Sequence, residues 1–264
     1  MKNISRKKIV REYYSKRARN YDRQKIRTWK SKQGFGTEVL NEVIDALTGL
    51  ESKPVLEVGV GSGRIGSPLL RKVKPWFVGL DLSREMLELA GARMSPHKQK
   101  FDLILGDAEH LPFANKVFDG LICISTMHYF AYPERSLTDF SRTLKEKGVF
   151  VCGDVAMHEL DNQGFLETLE TTLSQAHGRY CKPSEMKKLL ENHGFHVDKM
   201  KVVPYRKSYL ALMDDKGRHF DVKTETLHEC IGEATVDEGK LYAINSNGLT
   251  LFYTLIRALK ERKS

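Results

Sequence analysis

The sequence predicts an α/β protein built on a doubly wound, mainly parallel sheet, and two observations support this fold class. Short apolar runs alternate with segments of helical periodicity roughly every 20 to 30 residues, as expected when helices cover both faces of a parallel sheet. The first of these runs, residues 54–58, breaks abruptly into glycines at positions 59, 61 and 63. This pattern is typical of a buried strand that ends in a tight loop and then opens a helix.

The remaining elements follow from the same periodicities. Helices are predicted over residues 5–21 and 37–50 and between the later strands. Strands are predicted at 54–58, 76–81, 101–105, 117–124, 149–152 and 197–205. Near the C-terminus, the runs 241–244 and 249–253 flank Asn247-Gly248 and predict an antiparallel hairpin, because Asn-Gly is a strong hairpin cue. Residues 206–239 have a mixed pattern, for which we predict a hairpin that turns at 214–217.

Length and composition limit the classes of protein to consider. The chain of 264 residues is long enough for one substantial core, so we expect a single domain over residues 1–264. No apolar run approaches the roughly 20 residues that span a bilayer, and the N-terminus lacks the apolar centre of a signal peptide. We therefore expect a soluble cytoplasmic protein without a membrane span. The four cysteines are widely separated, which argues against a zinc site and a disulfide framework.

The positive charge is concentrated at the N-terminus. The formal net charge is +9, and residues 1–32 contain 13 lysines and arginines against two acidic residues. The rest of the chain is close to neutral. We therefore treat residues 1–35 as a basic helical segment, distinct from residues 36–157, which carry the glycine loop, and from residues 158–264.

The glycine loop fits two kinds of site. The spacing at residues 61–66 matches the G-x-G-x-x-G of dinucleotide enzymes, with Asp81 about 20 residues further on as a ribose ligand. The second interpretation is the motif Glu57-x-Gly59-x-Gly61-x-Gly63, in which an acidic residue precedes the first glycine by two positions. Glycines at 59, 61 and 63 let the backbone approach a ligand, and the helix that follows directs its free N–H groups to the same place.

Later motifs favour the second interpretation. The segments Gly-Asp-Ala-Glu-His-Leu-Pro-Phe at 106–113, Phe118-Asp119 and Leu-Lys-Glu-Lys-Gly-Val-Phe-Val at 144–151 follow in order. With the glycine loop they resemble four motifs of the class I S-adenosylmethionine-dependent methyltransferases, most closely the small-molecule branch that includes the quinone-biosynthesis C-methyltransferases. The resemblance covers residues 36–157. It implies a Rossmann-like, seven-stranded sheet with an antiparallel C-terminal hairpin.

The resemblance also implies a cofactor and its ligands. The cofactor is S-adenosyl-L-methionine, with the Asp81 carboxylate on the ribose hydroxyls and the Asp107 carboxylate on the adenine amino group. The expected cofactor-binding residues are Glu57, Gly59, Gly61, Gly63, Asp81, Leu82, Asp107, Ala108, Ser125 and Tyr21. Two alternatives stay open, because Glu57 also suits a strand end that binds backbone amides and Asp81 also suits a plain helix start.

The implied reaction is direct displacement of the sulfonium methyl by a small-molecule acceptor. Such a step needs alignment and exclusion of water more than acid-base groups, and we expect no metal. His128, after the fourth strand, is the candidate general base, with Asp154 as its orienting partner or as the base itself. The alternative is that His128 only packs beside Tyr129 and Phe130.

Two segments carry further alternatives. For the N-terminal segment, one possibility is that residues 1–35 close as a lid over the cofactor through Tyr13, Tyr14 and Tyr21. The alternative is that the basic residues 1–32 bind RNA. Residues 206–248 are expected to shape the acceptor pocket, or else to extend the sheet or form a dimer contact. A remote alternative for the whole chain is an NAD(P)-dependent oxidoreductase.

Overall fold

The computed structural model describes residues 6–18, 21, 35–97, 100–215 and 220–261. Helix α1 covers residues 6–18, as predicted. The first half continues with α2 (Phe35–Leu47), β1 (Pro54–Val58), α3 (Gly66–Lys72), β2 (Trp76–Asp81), α4 (Arg84–Met94), β3 (Phe101–Leu105), β4 (Phe118–Ile124), a 3-10 turn (Met127–Tyr129) and α5 (Pro133–Thr143). The second half comprises β5 (Leu144–Ala156), α6 (Phe165–Leu173), α7 (Pro183–Glu191), β6 (Phe195–Ser208), α8 (Tyr209–Asp215), α9 (Thr224–Gly232), α10 (Val236–Leu241) and β7 (Gly248–Lys260).

The seven strands form one sheet in the order β3-β2-β1-β4-β5-β7-β6. Strands β1 to β5 are parallel, and β7 runs antiparallel to both β5 and β6. This confirms the predicted fold class. The strand order reverses between β1 and β4, and ligands of open α/β sheets bind beyond the carboxyl ends of the strands at such a switch point.

Both faces of the sheet are buried. Neighbouring residues of a strand point to opposite faces, so Val55 of β1 packs in one core cluster and Leu56 in the other. The first cluster lies under α2, α3 and α6, and the second lies under α5 and α7. None of the described helices is long and apolar enough to cross a bilayer.

The predicted contiguous C-terminal hairpin is wrong. Residues 241–244 do not form a strand: Leu241 ends α10, and only Gly248–Lys260 is extended. The physical reason is the start of α10, where Thr235 accepts from the Glu238 backbone N–H while the Glu238 carboxylate accepts from the Thr235 N–H. This reciprocal cap fixes a helix where the apolar run alone suggested a strand. The antiparallel pair that does exist is β6 with β7.

The hairpin predicted within residues 206–239 is also wrong. Strand β6 extends to Ser208, and α8 begins directly after it; residues 216–219 lie outside the described part of the chain. Some of the apolar residues of this segment belong to the core, since Leu212 and Leu227 are fully buried, whereas Leu210 is 64% exposed. A helical segment, not a sheet extension, therefore connects β6 to β7.

Candidate active site

A cavity of about 1010 Å³, including its open mouth, lies at the carboxyl ends of β1 to β4. Nine of the ten residues expected to bind the cofactor line it: Tyr21, Glu57, Gly59, Gly61, Asp81, Leu82, Asp107, Ala108 and Ser125. The topology explains this convergence, because the first residues after neighbouring parallel strands meet at one edge of the sheet. Small-molecule sites of proteins commonly have about 300 to 1,000 Å³, so the cavity has the size of such a site.

The glycines of the loop have different roles. Gly59, Gly61 and Gly63 all have positive φ angles, of 74°, 53° and 74°. A Cβ at Gly59 would lie 2.4 Å from the Thr126 side chain, whereas one at Gly61 would meet nothing closer than 3.9 Å. Gly63 does not line the cavity; a Cβ there would press on Ala90 and Met94 of α4. Its role in this structure is close helix packing.

The Asp81 carboxylate is held by two backbone N–H groups at the edge of the cavity. Gly61 donates to Oδ2 at 2.8 Å, and Ser83 donates to Oδ1 at 2.9 Å. Ser83 is the predicted N-cap of α4, since its hydroxyl accepts from the Met86 N–H. Burial raises the pKa of Asp81, and these N–H donors oppose that rise. Each oxygen keeps further acceptor capacity for a ligand.

Glu57 lies deeper, at the end of β1, and is almost fully buried. Its Oε2 atom has no hydrogen-bond partner among the described residues. Burial raises the pKa of Glu57 well above its usual range; the Arg64 guanidinium opposes this rise and the nearby Asp81 adds to it. A buried carboxylate oxygen without a donor is costly, so this atom is suited to a ligand that brings a donor.

We predict that Glu57→Gln stabilises the ligand-free protein increasingly as the pH rises from 5 to 8. An acid with a raised folded-state pKa contributes most stability at low pH and loses it as the pH rises through that pKa. The neutral amide avoids this loss, so the gain near pH 8 is expected to be on the order of 1 kcal/mol, or about 2 to 4 °C in Tm.

Thermal unfolding across this pH range measures the effect. Glu88→Gln, at an exposed position of α4, is the matched control and is expected to follow the wild type. Parallel curves for wild type and Glu57→Gln would contradict the prediction.

Asp107 follows β3 and is paired with a lysine from α1. Its Oδ1 accepts from the Glu109 N–H, and its Oδ2 lies 2.6 Å from Lys7 Nζ. Burial alone would raise the pKa of Asp107, but the Lys7 ammonium and the Glu109 N–H outweigh burial and lower it. Asp107 is therefore a charged acceptor at the wall of the cavity.

Aromatic rings from α1 and from the turn after β4 cover the cavity. Tyr14 stands edge-on to Tyr129 with ring centroids 5.4 Å apart, and Tyr21 lies beneath the Arg64 guanidinium at 5.7 Å. Val10 and Arg11 of α1 also line the cavity. Residues 19–20 and 22–34 of the basic segment lie outside the described residues.

His128 and Asp154 are hydrogen-bonded, as the sequence suggested. The Nδ1–H of His128 donates to Asp154 Oδ1 at 2.7 Å, and the His128 backbone N–H donates to Oδ2 at 3.0 Å. Both side chains are buried and do not line the first cavity. The His128 ring lies against Tyr129, which does line it, with centroids 3.9 Å apart.

A second cavity reaches this pair from the other side. It has about 1360 Å³ with its open mouth, and both His128 and Asp154 line it. Phe130 lines both cavities, so the two cavities adjoin at this residue. Apolar side chains of Met186 and Leu189 from α7 form part of its wall.

The His128 carbonyl is fixed by a glycine that tolerates no side chain. Gly178 donates its N–H to this oxygen at 2.8 Å, and a Cβ at Gly178 would lie 2.4 Å from the same atom. We predict that Gly178→Ala destabilises the protein by about 1 to 3 kcal/mol, because backbone must shift to make room.

Thermal unfolding measures this loss as a fall in Tm of at least about 2 °C. Gly239→Ala in α10 is the control, since a Cβ there meets no atom within 4 Å. It is expected to be neutral or stabilising. An unchanged Tm for Gly178→Ala would contradict the tight contact.

The lining residues that were not singled out from the sequence include Lys7, Glu109 and Arg64. Lys7 stands among many lysines and arginines of the basic segment, so no pattern distinguishes it. Glu109 occurs in the segment after β3, but only the fold shows its side chain inside the cavity wall. Arg64 follows the glycine loop directly, and this position is the only signal that pointed to it.

Comparison with known families interprets this geometry. Residues 56–152, from β1 into β5, match the family model described as a methyltransferase domain. Over this segment, which contains the glycine loop, Asp81 and Asp107, the chain is similar to methyltransferase domains. The match favours this interpretation of the glycine loop over the oxidoreductase one.

Curated relatives are similar to part of this chain. The chain is 30% identical to a demethylmenaquinone methyltransferase of Symbiobacterium thermophilum over 151 residues, which are 56% of this chain and 59% of the relative. It is 34% identical to a fatty-acid O-methyltransferase of Mycolicibacterium smegmatis over 106 residues, 40% of this chain and 38% of the relative. The chain spans about half the length of the curated relatives it matches.

Solved structures share the fold of most of this chain. A methyltransferase candidate from Bacillus halodurans superposes with a TM-score of 0.76 at 24% identity and covers 84% of this chain and 99% of that chain. Geranyl diphosphate C-methyltransferase of Streptomyces coelicolor has a TM-score of 0.60 at 14% identity and covers 85% and 78%. At these identities the likeness concerns the fold alone.

Proposed function

We propose that this chain is an S-adenosylmethionine-dependent methyltransferase that acts on a small-molecule acceptor. One observation carries the proposal: acidic side chains from the ends of β1, β2 and β3 converge on the cavity beneath the glycine loop. These are Glu57, Asp81 and Asp107. A ligand with a hydroxylated sugar, an amino-substituted ring and a charged amino acid end presents donors to all three.

The residues present fit this cofactor. Asp81 and Asp107 each present carboxylate oxygens at the cavity, and the buried Oε2 of Glu57 has no donor among the described residues. Gly61 leaves open space where a side chain would stand. When bound, S-adenosylmethionine supplies a methyl group on a positively charged sulfur. The residues of this chain supply its orientation and the exclusion of water.

The second contribution of this chain is to exclude water from the cavity. Tyr14, Tyr21, Tyr129 and Phe130 line the cavity with aromatic surface. Tyr14 lies in α1 and Tyr21 follows this helix. We therefore propose that residues 1–35 act as the lid. A displacement reaction gains most from alignment in such a dry site.

Proton removal is assigned to His128. Asp154 holds the ring through Nδ1, which leaves Nε2 as the nitrogen that takes a proton in the neutral tautomer. The second cavity reaches this pair and adjoins the first at Phe130. We therefore expect the acceptor to approach from the second cavity.

A small-molecule acceptor is favoured over RNA. The relatives named above are described by quinone and fatty-acid substrates. The basic arm of the RNA alternative lies mostly outside the described residues, and of its described positions Val10, Tyr13 and Tyr21 are buried instead of exposed. RNA binding that collapses with added salt and is lost on deletion of residues 1–32 would favour the alternative.

Isothermal calorimetry tests the proposed function. The wild-type chain is expected to bind S-adenosylmethionine and S-adenosylhomocysteine, and not NAD or NADP. Absence of binding of both sulfur compounds, or tight binding of a nicotinamide dinucleotide, would overturn the proposal.

A further inference from the structure

Lys7 connects α1 to two acidic residues in the cavity wall. Its ammonium lies 2.6 Å from Asp107 Oδ2 and 2.8 Å from Glu109 Oε2. The neighbouring Lys8 differs, because its side chain is 67% exposed and its ion pair with Glu12 stays within α1. The chain therefore offers two adjacent lysines on one helix, of which only Lys7 reaches the cavity.

Glu109 is the fixed part of this arrangement. Its side chain is only 2% exposed, and its Oε1 accepts the backbone N–H groups of Ala131 and Tyr132. Its Oε2 has no hydrogen-bond donor of suitable geometry among the described residues, so the Lys7 ammonium supplies the nearby positive charge. A buried carboxylate without a counter-charge is unfavourable, so Lys7 is held here irrespective of what else binds in the cavity.

A second contact ties α1 to the far side of the cavity. Ser15 donates its hydroxyl to Glu85 Oε2 at 2.5 Å and lies 3.3 Å from the Ser83 hydroxyl at the start of α4. Ser15 follows Lys7 by eight positions, a span of about 12 Å along a helix. The two contacts thus fasten α1 to the segments that follow β3 and β2, across the mouth of the cavity.

We propose that Lys7 is the latch that closes α1 over the bound nucleoside, and that it positions the Asp107 carboxylate for ligand recognition. This inference rests on the proposed function for the identity of the ligand. Lys7 and a ligand amino group do not exclude each other at Asp107, because an ionised carboxylate accepts up to about four hydrogen bonds. Closure by the latch therefore slows ligand release.

Lys7→Met removes the charge and keeps the length of the side chain. Amide hydrogen exchange is measured for residues 6–18 in the ligand-free protein, and the dissociation rate of S-adenosylhomocysteine is measured by stopped flow. We expect exchange in this helix to accelerate and the ligand to dissociate about tenfold faster. Lys8→Met is the matched control and should match the wild type. Lys7→Arg keeps the positive charge, so its exchange and dissociation rates should stay close to those of the wild type.

The two readouts separate the latch from the proposed function. Unchanged exchange and unchanged dissociation in Lys7→Met would overturn the latch, and so would tighter binding, which would make Lys7 a competitor of the ligand. If wild type fails to bind either sulfur compound, the proposed function fails. The exchange of residues 6–18 in the ligand-free protein then decides alone whether Lys7 fastens α1.

Discussion

Asp81→Ala is expected to weaken the binding of S-adenosylmethionine by roughly 10- to 100-fold. A hydrogen bond to a charged group contributes about 1.5 to 3 kcal/mol, and each 1.4 kcal/mol corresponds to a factor of about ten. The same change removes the acceptor of the Gly61 N–H and so loosens the glycine loop. Asp81→Asn, which keeps one acceptor oxygen, should fall between alanine and wild type.

Calorimetry on Asp81→Ala, Asp107→Ala and a control measures this loss. Asp102→Ala is the control, since this carboxylate lies exposed on β3 and, among the described residues, accepts a hydrogen bond only from the Trp76 ring nitrogen at 3.3 Å. Wild-type affinity in both the Asp81 and the Asp107 variant would remove the basis for the cofactor site.

His128→Ala is expected to lower turnover by roughly 100-fold or more while leaving cofactor affinity nearly unchanged. A general base must be neutral to accept a proton, so the rate of the wild type should fall at acidic pH. The variant should lack this acidic limb of the pH profile. Because His128 does not line the first cavity, the affinity for the cofactor has no direct reason to change.

Two further variants separate catalysis from packing. Asp154→Asn keeps the shape of the partner but no longer fixes the imidazole in the required tautomer, so it should also lose turnover. His196→Ala, at an exposed position of β6, should behave as the wild type. An unchanged pH profile of turnover in His128→Ala would contradict the role of His128 as general base. Alignment of the reactants would then be the source of catalysis.

The connection from β6 to β7 does not support the expected role in the acceptor pocket. No described residue of 209–247 lines either of the two cavities. Leu212 and Tyr242 are instead buried in the core, and Tyr242 donates its hydroxyl to Asp161 at 2.6 Å. Deleting the segment would expose this core. A loss of folding is thus the expected result, not a selective loss of turnover.

Local patterns were sufficient for the parallel half of the fold. Each strand from β1 to β5 contains a short apolar run. The acidic residues at or after the ends of these runs were found by position alone. Asp81 and Asp107 occupy the cavity because the order of the strands is fixed by the alternation of strand and helix. The pairing of His128 with Asp154 follows from the same rule for β4 and β5.

Long-range contacts account for what the sequence did not reveal. The run at 241–244 has strand composition, yet the cap at Thr235 and the burial of Tyr242 make it the end of a helix. The ion pair of Lys7 with Asp107 joins residues 100 positions apart, and no local pattern marks it. The placement of Gly63 against α4 likewise depends on packing with Ala90.

Transfer of a labelled methyl group tests the central claim most directly. The wild-type chain is incubated with methyl-labelled S-adenosylmethionine and a cell extract, and small molecules, RNA and protein are then separated. We expect label in the small-molecule fraction, reduced in Asp81→Ala and nearly abolished in His128→Ala. No label above background in any fraction, or label confined to RNA, would contradict a methyltransferase that acts on small molecules.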